Sequence, residues 1–143
     1  MTAFRIGVLK ETAPGERRVA AVPDTVARLC SSGLEVLVER GAGAQAGMPD
    51  SAYAQAGAAI VESGELDARA DLVLCVAAPD RSRIAGLHAG QILAGMLEPD
   101  AELFDACARS GLTAVSLLLL PRTLSRAQSL DALTSQANIA GYR

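Results

Sequence analysis

Aromatic side chains are scarce in this 143-residue chain, where they make up 3% of the residues and include no tryptophan. The core must therefore be built from aliphatic residues, and platforms for stacking nucleic-acid bases are hard to assemble. The formal charge of −3, from 13 basic and 16 acidic residues, gives no basic stripe for a phosphate backbone. These shortages argue against a nucleic-acid partner.

Histidine and cysteine are also too few for most metal and covalent chemistry. His88 is the only histidine, which excludes multi-histidine metal sites, and no G-x-S-x-G motif supplies a serine nucleophile. Cys30, Cys75 and Cys107 lie far apart in the sequence and form no C-x-x-C pair. We interpret them as small packing residues in a reducing, cytosolic compartment, and we predict no metal site.

Long hydrophobic runs are missing as well. The longest extends over 112–120, whereas a membrane-spanning helix needs about 20 apolar residues. We therefore predict that no segment of this sequence crosses a bilayer.

Half of the residues are apolar, which is enough to bury a core. Six short apolar runs cover 4–9, 34–39, 58–62, 71–77, 91–96 and 112–119. Their continuous hydrophobicity is typical of strands buried on both faces. Proline and glycine bracket predicted helices over 25–32 and 101–110. This alternation predicts an α/β fold: one lobe over 1–124 with a flavodoxin-like, doubly wound parallel sheet.

The last part of the sequence predicts one more helix. Ser125 and Gln128 form a capping-box pattern that starts a helix running to about Ala140. On a helical projection, one face carries Leu130, Leu133, Ala137 and Ala140, and the other carries Gln128, Asp131, Ser135 and Asn138. We interpret this C-terminal linking helix as having one packing face and one hydrogen-bonding face.

One glycine cluster formally matches a nucleotide-binding motif. Residues 41–46, Gly-Ala-Gly-Ala-Gln-Ala, fit G-x-G-x-x-G/A, and the acidic residue Glu62 follows about 20 residues later. A true fingerprint opens a long helix, but Gly47 and Pro49 interrupt this one. We favour a structural loop, with phosphate binding as the alternative.

Two polar segments follow predicted strands, where open α/β sheets bind ligands. In the first, 10–18, Arg18 is a candidate anchor for a carboxylate or a neighbouring loop, and a solvated loop with Glu–Arg pairs is the alternative. The second, 121–131, gathers guanidinium, amide and carboxylate groups at a helix N-terminus. Such groups could bind a carboxamide ring such as nicotinamide. The alternative interpretation is a helix cap with solvated charges, and the spacing alone favours neither.

Three stretches carry a resemblance to a known family: FRIGVLKETAPGERRVA at 4–20, VERGAGAQAGMPDSAYAQAGA at 38–58 and SRAQSLDALTSQANIAGYR at 125–143. They resemble the N-terminal lobe of the alanine dehydrogenase and nicotinamide nucleotide transhydrogenase superfamily. The last stretch is similar to the alpha subunit of the proton-translocating transhydrogenase. The resemblance implies an NAD(H)-binding component that positions NADH for hydride transfer to NADP(+) on a partner beta subunit, with a membrane-spanning component that couples transfer to proton translocation.

The same resemblance implies the site residues and the setting. The residues that match those contacting the nicotinamide are Arg122, Arg126, Gln128, Asp131 and Thr134, with the two arginines as alternatives for the clamp. A homodimer on the cytoplasmic face of the inner membrane is also implied. In the family a Rossmann NAD-binding lobe follows this region, so we expect 125–143 to lead toward a lobe that is absent from these residues. The fragment alone is then expected to be inactive, and no catalytic residue is expected because the cofactor carries the chemistry.

Two alternatives stay open. An alanine dehydrogenase-like enzyme would need a substrate-binding lysine and a catalytic histidine, and the corresponding positions resemble Cys75 and Glu98 here. Only Arg18 matches that enzyme's carboxylate-binding arginine. The other alternative is a non-catalytic protein-interaction lobe of a larger assembly.

Overall fold

The computed structural model of the protein describes residues 3–121, 123 and 125–141. Six strands form one parallel sheet: β1 (Arg5–Val8), β2 (Glu35–Glu39), β3 (Ala59–Val61), β4 (Leu72–Leu74), β5 (Ile92–Gly95) and β6 (Thr113–Ser116). The helices are α1 (Pro23–Ser31), α2 (Asp50–Gln55), α3 (Ser63–Arg69), α4 (Arg81–Gly86), α5 (Ala101–Arg109), α6 (Ser125–Gln128) and α7 (Ala132–Gly141). All six predicted strands are confirmed, each somewhat shorter than its apolar run.

The strand order is β3-β2-β1-β4-β5-β6. The central strand β1 pairs in parallel on both sides, so that Ile6 stands opposite Val36 of β2 and Leu72 of β4. The doubly wound parallel sheet is thus confirmed. Its order is the 3-2-1-4-5-6 order of dinucleotide-binding sheets, which refines the flavodoxin-like description because flavodoxin-like sheets follow 2-1-3-4-5.

Helices cover both faces of the sheet, and a core lies on each. On one face Val8, Val36 and Val38 pack with Val26 of α1 and Tyr53 of α2. A second core combines sheet residues with residues of α3, α4 and α5, including Leu37, Val73, Leu93, Leu66, Ile84 and Leu103. Because both faces are covered, the strands read as continuous apolar runs rather than as alternating ones.

The helices begin and end largely where proline and glycine predict. Pro23 is the first residue of α1, and Gly33 follows this helix with a φ of 85°. Gly111 follows α5 in the same way, with a φ of 70°. Both glycines adopt the left-handed conformation that ends a helix, and each leads toward the next strand.

The single C-terminal helix predicted from Ser125 to Ala140 is wrong, since α6 ends at Gln128 and α7 begins at Ala132. Between them, the Ser129 hydroxyl donates to the Arg126 carbonyl at 2.9 Å, and Asp131 starts a new helix. The break changes the helical phase, and the three described residues of the predicted packing face are exposed. Leu130 is 54% exposed, and Ala137 and Ala140 are also exposed. The side chains of Leu133 and Ser135 lie outside the described part.

Within the described ranges, no helix is both long and apolar enough to cross a membrane.

Candidate functional site

The strand order creates a crevice at the carboxyl ends of β1 and β4. The chain winds outward from β1 to β3 and then returns to β4 on the other side of β1, so the loops after these two strands diverge. In open α/β sheets, ligands bind at this reversal of strand order. The loop after β1 is the polar segment 10–18 that the sequence singles out.

Glu11 fastens this loop to the end of β4. Its carboxylate accepts hydrogen bonds from the backbone N–H of Val76 at 2.6 Å and of Ala77 at 3.1 Å. Burial raises the pKa of the Glu11 carboxyl group, although the two backbone donors act to lower it. The contact joins residues that are 65 and 66 positions apart, so it ties the loop after β1 to the backbone that follows β4.

Arg18 is held by Glu16 in a two-pronged ion pair. Arg18 Nε and Nη2 donate to the two oxygens of Glu16 at 2.7 and 2.6 Å. The hydrogen bonds from Arg18 are the main reason that the pKa of Glu16 is lowered to about 2. The predicted Glu–Arg pairing in this loop is therefore confirmed.

The third guanidinium nitrogen of Arg18 reaches helix α7. Nη1 donates to Oε1 of Gln136 at 2.7 Å, across 118 positions of sequence. Arg18 thus anchors helix α7, whereas the sequence predicts a carboxylate or a neighbouring loop as its partner.

A cavity of about 240 Å³ lies beneath this contact. Its apolar lining comes from the ends of β4 and β5 and from the residues after them, including Leu74, Val76, Ala94, Gly95, Met96 and Leu117. Arg18, Gln136 and Ala132 also line it. Helix α7 therefore borders a small, mostly apolar space over the carboxyl ends of the strands, a usual setting for a ligand.

An ion-pair network supports the loop from below, in which Glu39 is buried and Arg83 and Asp67 are half-buried. Arg83 of α4 donates to Asp67 at 2.8 Å and to Glu39 at 3.1 Å. Glu39 also accepts the backbone N–H of Lys10 at 2.9 Å. The side chains of this network are 11 to 17% exposed, and burial raises the pKa of Asp67. The network ties β2, α3 and α4 to the start of the loop.

Among the five predicted site residues, the structure brings Asp131 and Thr134 together. Asp131 accepts from the Thr134 backbone N–H at 3.0 Å and from its hydroxyl at 2.6 Å, which caps the N-terminus of α7. Asp131 is half-buried, next to Ala132 in the cavity lining. Gln128 and Arg126 are exposed on α6, and Arg122 lies outside the described residues.

The glycine cluster at 41–46 is a structural loop, as favoured. It contains a single 3-10 turn over Ala44–Ala46, and the next α-helix starts only at Asp50. The acidic residue Glu62 pairs with Arg40 at 2.6 Å on the surface. No helix N-terminus is therefore aimed from these glycines at a pyrophosphate.

Cys75 and Glu98 stand where an alanine dehydrogenase would need its lysine and its histidine, and the two residues lie in different surroundings. Cys75 is buried, and burial raises the pKa of its thiol to about 12. Glu98 is exposed beyond β5. Cys75 therefore supplies no group that takes up and releases a proton near neutral pH at the cavity floor, and Glu98 is not part of the lining of that cavity.

The sequence analysis did not assign a role to five of the residues that build the crevice. Glu11 and Gln136 were inside segments that we singled out, but their partners lie far away in the sequence. Arg83, Glu39 and Asp67 look like ordinary surface charges in the sequence. Only Glu39 could have been noticed in the sequence, because it is a charged residue directly after the apolar residues of its strand.

Comparison with known proteins gives four consistent matches. The sequence model described as "Alanine dehydrogenase/PNT, N-terminal domain" matches residues 7–140. NAD(P) transhydrogenase subunit alpha of Cereibacter sphaeroides is 43% identical over 98% of this chain, which spans 27% of that relative. The transhydrogenase structure from Sinorhizobium meliloti has a TM-score of 0.90 and 38% identity, over 96% of this chain and 42% of that one. An L-alanine dehydrogenase structure has a TM-score of 0.75 and 33% identity, and the match covers 80% of this chain and 32% of that one.

Proposed function

Because this chain belongs to the family of alanine dehydrogenase/PNT N-terminal domains, we propose that it is the NAD(H)-binding component of a proton-translocating NAD(P) transhydrogenase. In this role it positions NADH for hydride transfer to NADP(+) on a beta subunit. The relatives named transhydrogenase subunit alpha support the reaction class. Since the chain spans about a quarter of their length, we assign it the orienting part of the site.

The observation that carries this proposal is the Asp131–Thr134 pair at the start of α7, beside the cavity at the carboxyl ends of the strands. Gln128, exposed just before it, presents both an amide donor and an amide acceptor. A nicotinamide carboxamide offers the complementary acceptor and donor. We assign Gln128, Asp131 and Thr134, together with Arg122 or Arg126, to this contact.

The residues present suit a reaction in which the protein transfers no proton. The nicotinamide supplies the hydride when it is bound. What the chain contributes is orientation, because transfer needs the two reacting carbons at about 3–3.5 Å in a fixed alignment. A polar helix start over an apolar cavity can hold a carboxamide in one orientation while it excludes water from one side of the ring.

The assembly follows from the same proposal. The partners are the transhydrogenase beta subunit and a membrane-spanning component, and the chain forms a homodimer. NADP(H) is bound by the partner, and the chain lies at the cytoplasmic face of the inner membrane. On its own it is expected to be inactive.

The alanine dehydrogenase alternative is less well supported by the residues. Arg18, which would bind a carboxylate substrate, already holds the Glu16 carboxylate with two of its nitrogens. The buried Cys75 thiol is a poor proton donor or acceptor. A second alternative, a lobe that only binds other proteins, draws on the exposed apolar surface of α7, where Ile139 is 75% exposed.

One experiment separates the three functions. We would isolate the complex through a tag on this chain and compare Gln128→Ala with Gln45→Ala, the same substitution in the exposed turn that follows β2. We expect Gln128→Ala to lower the rate of hydride transfer from NADH to NADP(+) about 10-fold or more, with assembly intact. Loss of assembly with normal transfer would support the interaction lobe. Pyruvate-dependent oxidation of NADH would support the dehydrogenase.

A further inference from the structure

Gln136 of helix α7 makes a side-chain contact with the loop after β1, across the crevice. Gln136 lies on the same helix as Thr134, but its amide oxygen points toward the loop after β1 and accepts from Arg18 Nη1 at 2.7 Å. Because a guanidinium only donates hydrogen bonds, the amide oxygen is the group that can pair with it.

The loop gives Arg18 a fixed position from which to make this contact. Two of its guanidinium nitrogens are engaged by Glu16, and its backbone N–H donates to the same carboxylate at 2.9 Å. A guanidinium held in this forked geometry loses little further freedom when its third nitrogen binds a partner.

The loop itself is anchored at its start. Glu11 accepts from two backbone N–H groups at the end of β4, and the backbone of Lys10 donates to the buried Glu39. These contacts connect Arg18 to the rigid centre of the sheet through a short, hydrogen-bonded segment. Helix α7, in contrast, is exposed from Gln136 to its last residue.

We propose that Gln136 is a positioning residue: its hydrogen bond with Arg18 sets the position of α7 over the strand ends, and thereby the direction in which Asp131 and Thr134 face the nicotinamide. The claim that this hydrogen bond affects hydride transfer rests on the proposed function. The claim that it sets the position of α7 depends on the structure alone. Gln136 itself is not assigned a contact with the cofactor.

The first test measures hydrogen exchange of the α7 backbone amides in this chain, without any nucleotide. We expect Gln136→Leu to speed this exchange about five-fold, because one charge-assisted hydrogen bond is lost. Gln136→Glu keeps an acceptor for Arg18 and should exchange no faster than the unchanged protein. Asn138→Leu replaces another exposed amide of α7 and serves as the matched control.

A double substitution tests the pair. Arg18→Lys removes the forked geometry, so it should speed α7 exchange as Gln136→Leu does, and the two together should have no larger effect than either alone. Additive effects, unchanged α7 exchange in Gln136→Leu, or an equal effect of Asn138→Leu would overturn the inference.

The second test follows hydride transfer in the tagged complex. Gln136→Leu should lower kcat about 10-fold while the KM for NADH changes less than about 2-fold, since orientation rather than affinity is lost. Gln136→Glu should restore kcat. If α7 exchange responds but kcat does not, the contact is only structural and the positioning role is wrong. If the unsubstituted complex transfers no hydride, the proposed function itself fails, and the role in transfer fails with it.

Discussion

A methyl group on Gly95 would stand 2.4 Å from the carbonyl oxygen of Cys75 and 2.7 Å from its sulfur. The two residues come this close because β4 and β5 end side by side at the cavity floor. Glycine is therefore needed at the end of β5 for close approach of the backbone of β4.

Gly95→Ala is accordingly expected to destabilise the protein by about 1–3 kcal/mol, since the backbone oxygen cannot move aside cheaply. Gly64→Ala, in helix α3 with nothing within 4 Å of the added Cβ, is the control and should be neutral or stabilising by about 0.5–1 kcal/mol. Urea unfolding of the two variants measures both effects. Equal stability of the two variants would show that the strand ends relax more easily than their spacing suggests.

Removal of Arg83 should be costly, because the buried Glu39 and the half-buried Asp67 would lose their shared counter-ion. We expect Arg83→Met to lower the free energy of unfolding by about 3–5 kcal/mol. The matched substitution Arg81→Met breaks the exposed ion pair with Glu102, in which both side chains are about 70% exposed, and should cost at most about 1 kcal/mol. Chemical unfolding at pH 7 measures the loss of unfolding free energy in both variants. Similar losses would contradict a stabilising role of the Arg83 network.

Protonation of Glu16 at low pH should break its ion pair with Arg18 within a defined range of pH. The pKa of Glu16 falls from 4.5 to about 2 on folding, mainly through its hydrogen bonds with Arg18. A lowered carboxyl pKa stabilises the fold above the unfolded pKa, and this stabilisation disappears as the pH falls from 4.5 toward 2.

The difference in unfolding free energy between the unchanged protein and Glu16→Gln should therefore be constant above pH 4.5 and shrink toward zero near pH 2. Its size should not exceed about 1 kcal/mol, because Arg18 is partly solvent-exposed. Urea titrations at several pH values measure it. A difference that does not change across this range would contradict the assignment of the pair.

The three thiols should differ in reactivity. Cys75 and Cys107 are buried in the core, and burial raises the pKa of both, whereas Cys30 is half-buried beside α2. Since the thiolate is the reactive form, we expect a neutral-pH alkylating reagent to modify Cys30 first in the folded protein and all three after unfolding. Mass spectrometry of the peptides identifies the order. Early modification of Cys75 would mean that the cavity floor opens.

Local patterns in the sequence were enough to predict the sheet but not the crevice. The strands could be predicted because burial on both faces leaves a continuous apolar run, and helices α1 and α5 because Pro23 and Gly111 have fixed positional roles. The flavodoxin-like description implied the order 2-1-3-4-5, which differs from the observed β3-β2-β1-β4-β5-β6, because strand order depends on contacts between runs that look alike.

The α6–α7 segment shows where such patterns fail. A projection with one helical phase places Asp131 on a polar face, although the same residue starts a new helix through its bonds to Thr134. The contact between Arg18 and Gln136 spans 118 positions, and neither residue type predicts it. Charges such as Arg83 pair in the interior only because the fold brings α3, α4 and β2 together, which the sequence does not display.

The central claim, that this chain orients NADH for hydride transfer to NADP(+), is tested most directly by isotope transfer. The complex isolated through a tag on this chain would receive NADH carrying deuterium in both hydrogen positions at C4 of the dihydronicotinamide, together with NADP(+) and no other substrate. We predict deuterium in the NADPH formed and none released to water, since a direct hydride transfer has no exchangeable intermediate. Deuterium that stays in NADH, or that appears in alanine only when pyruvate and ammonium are added, would contradict the claim.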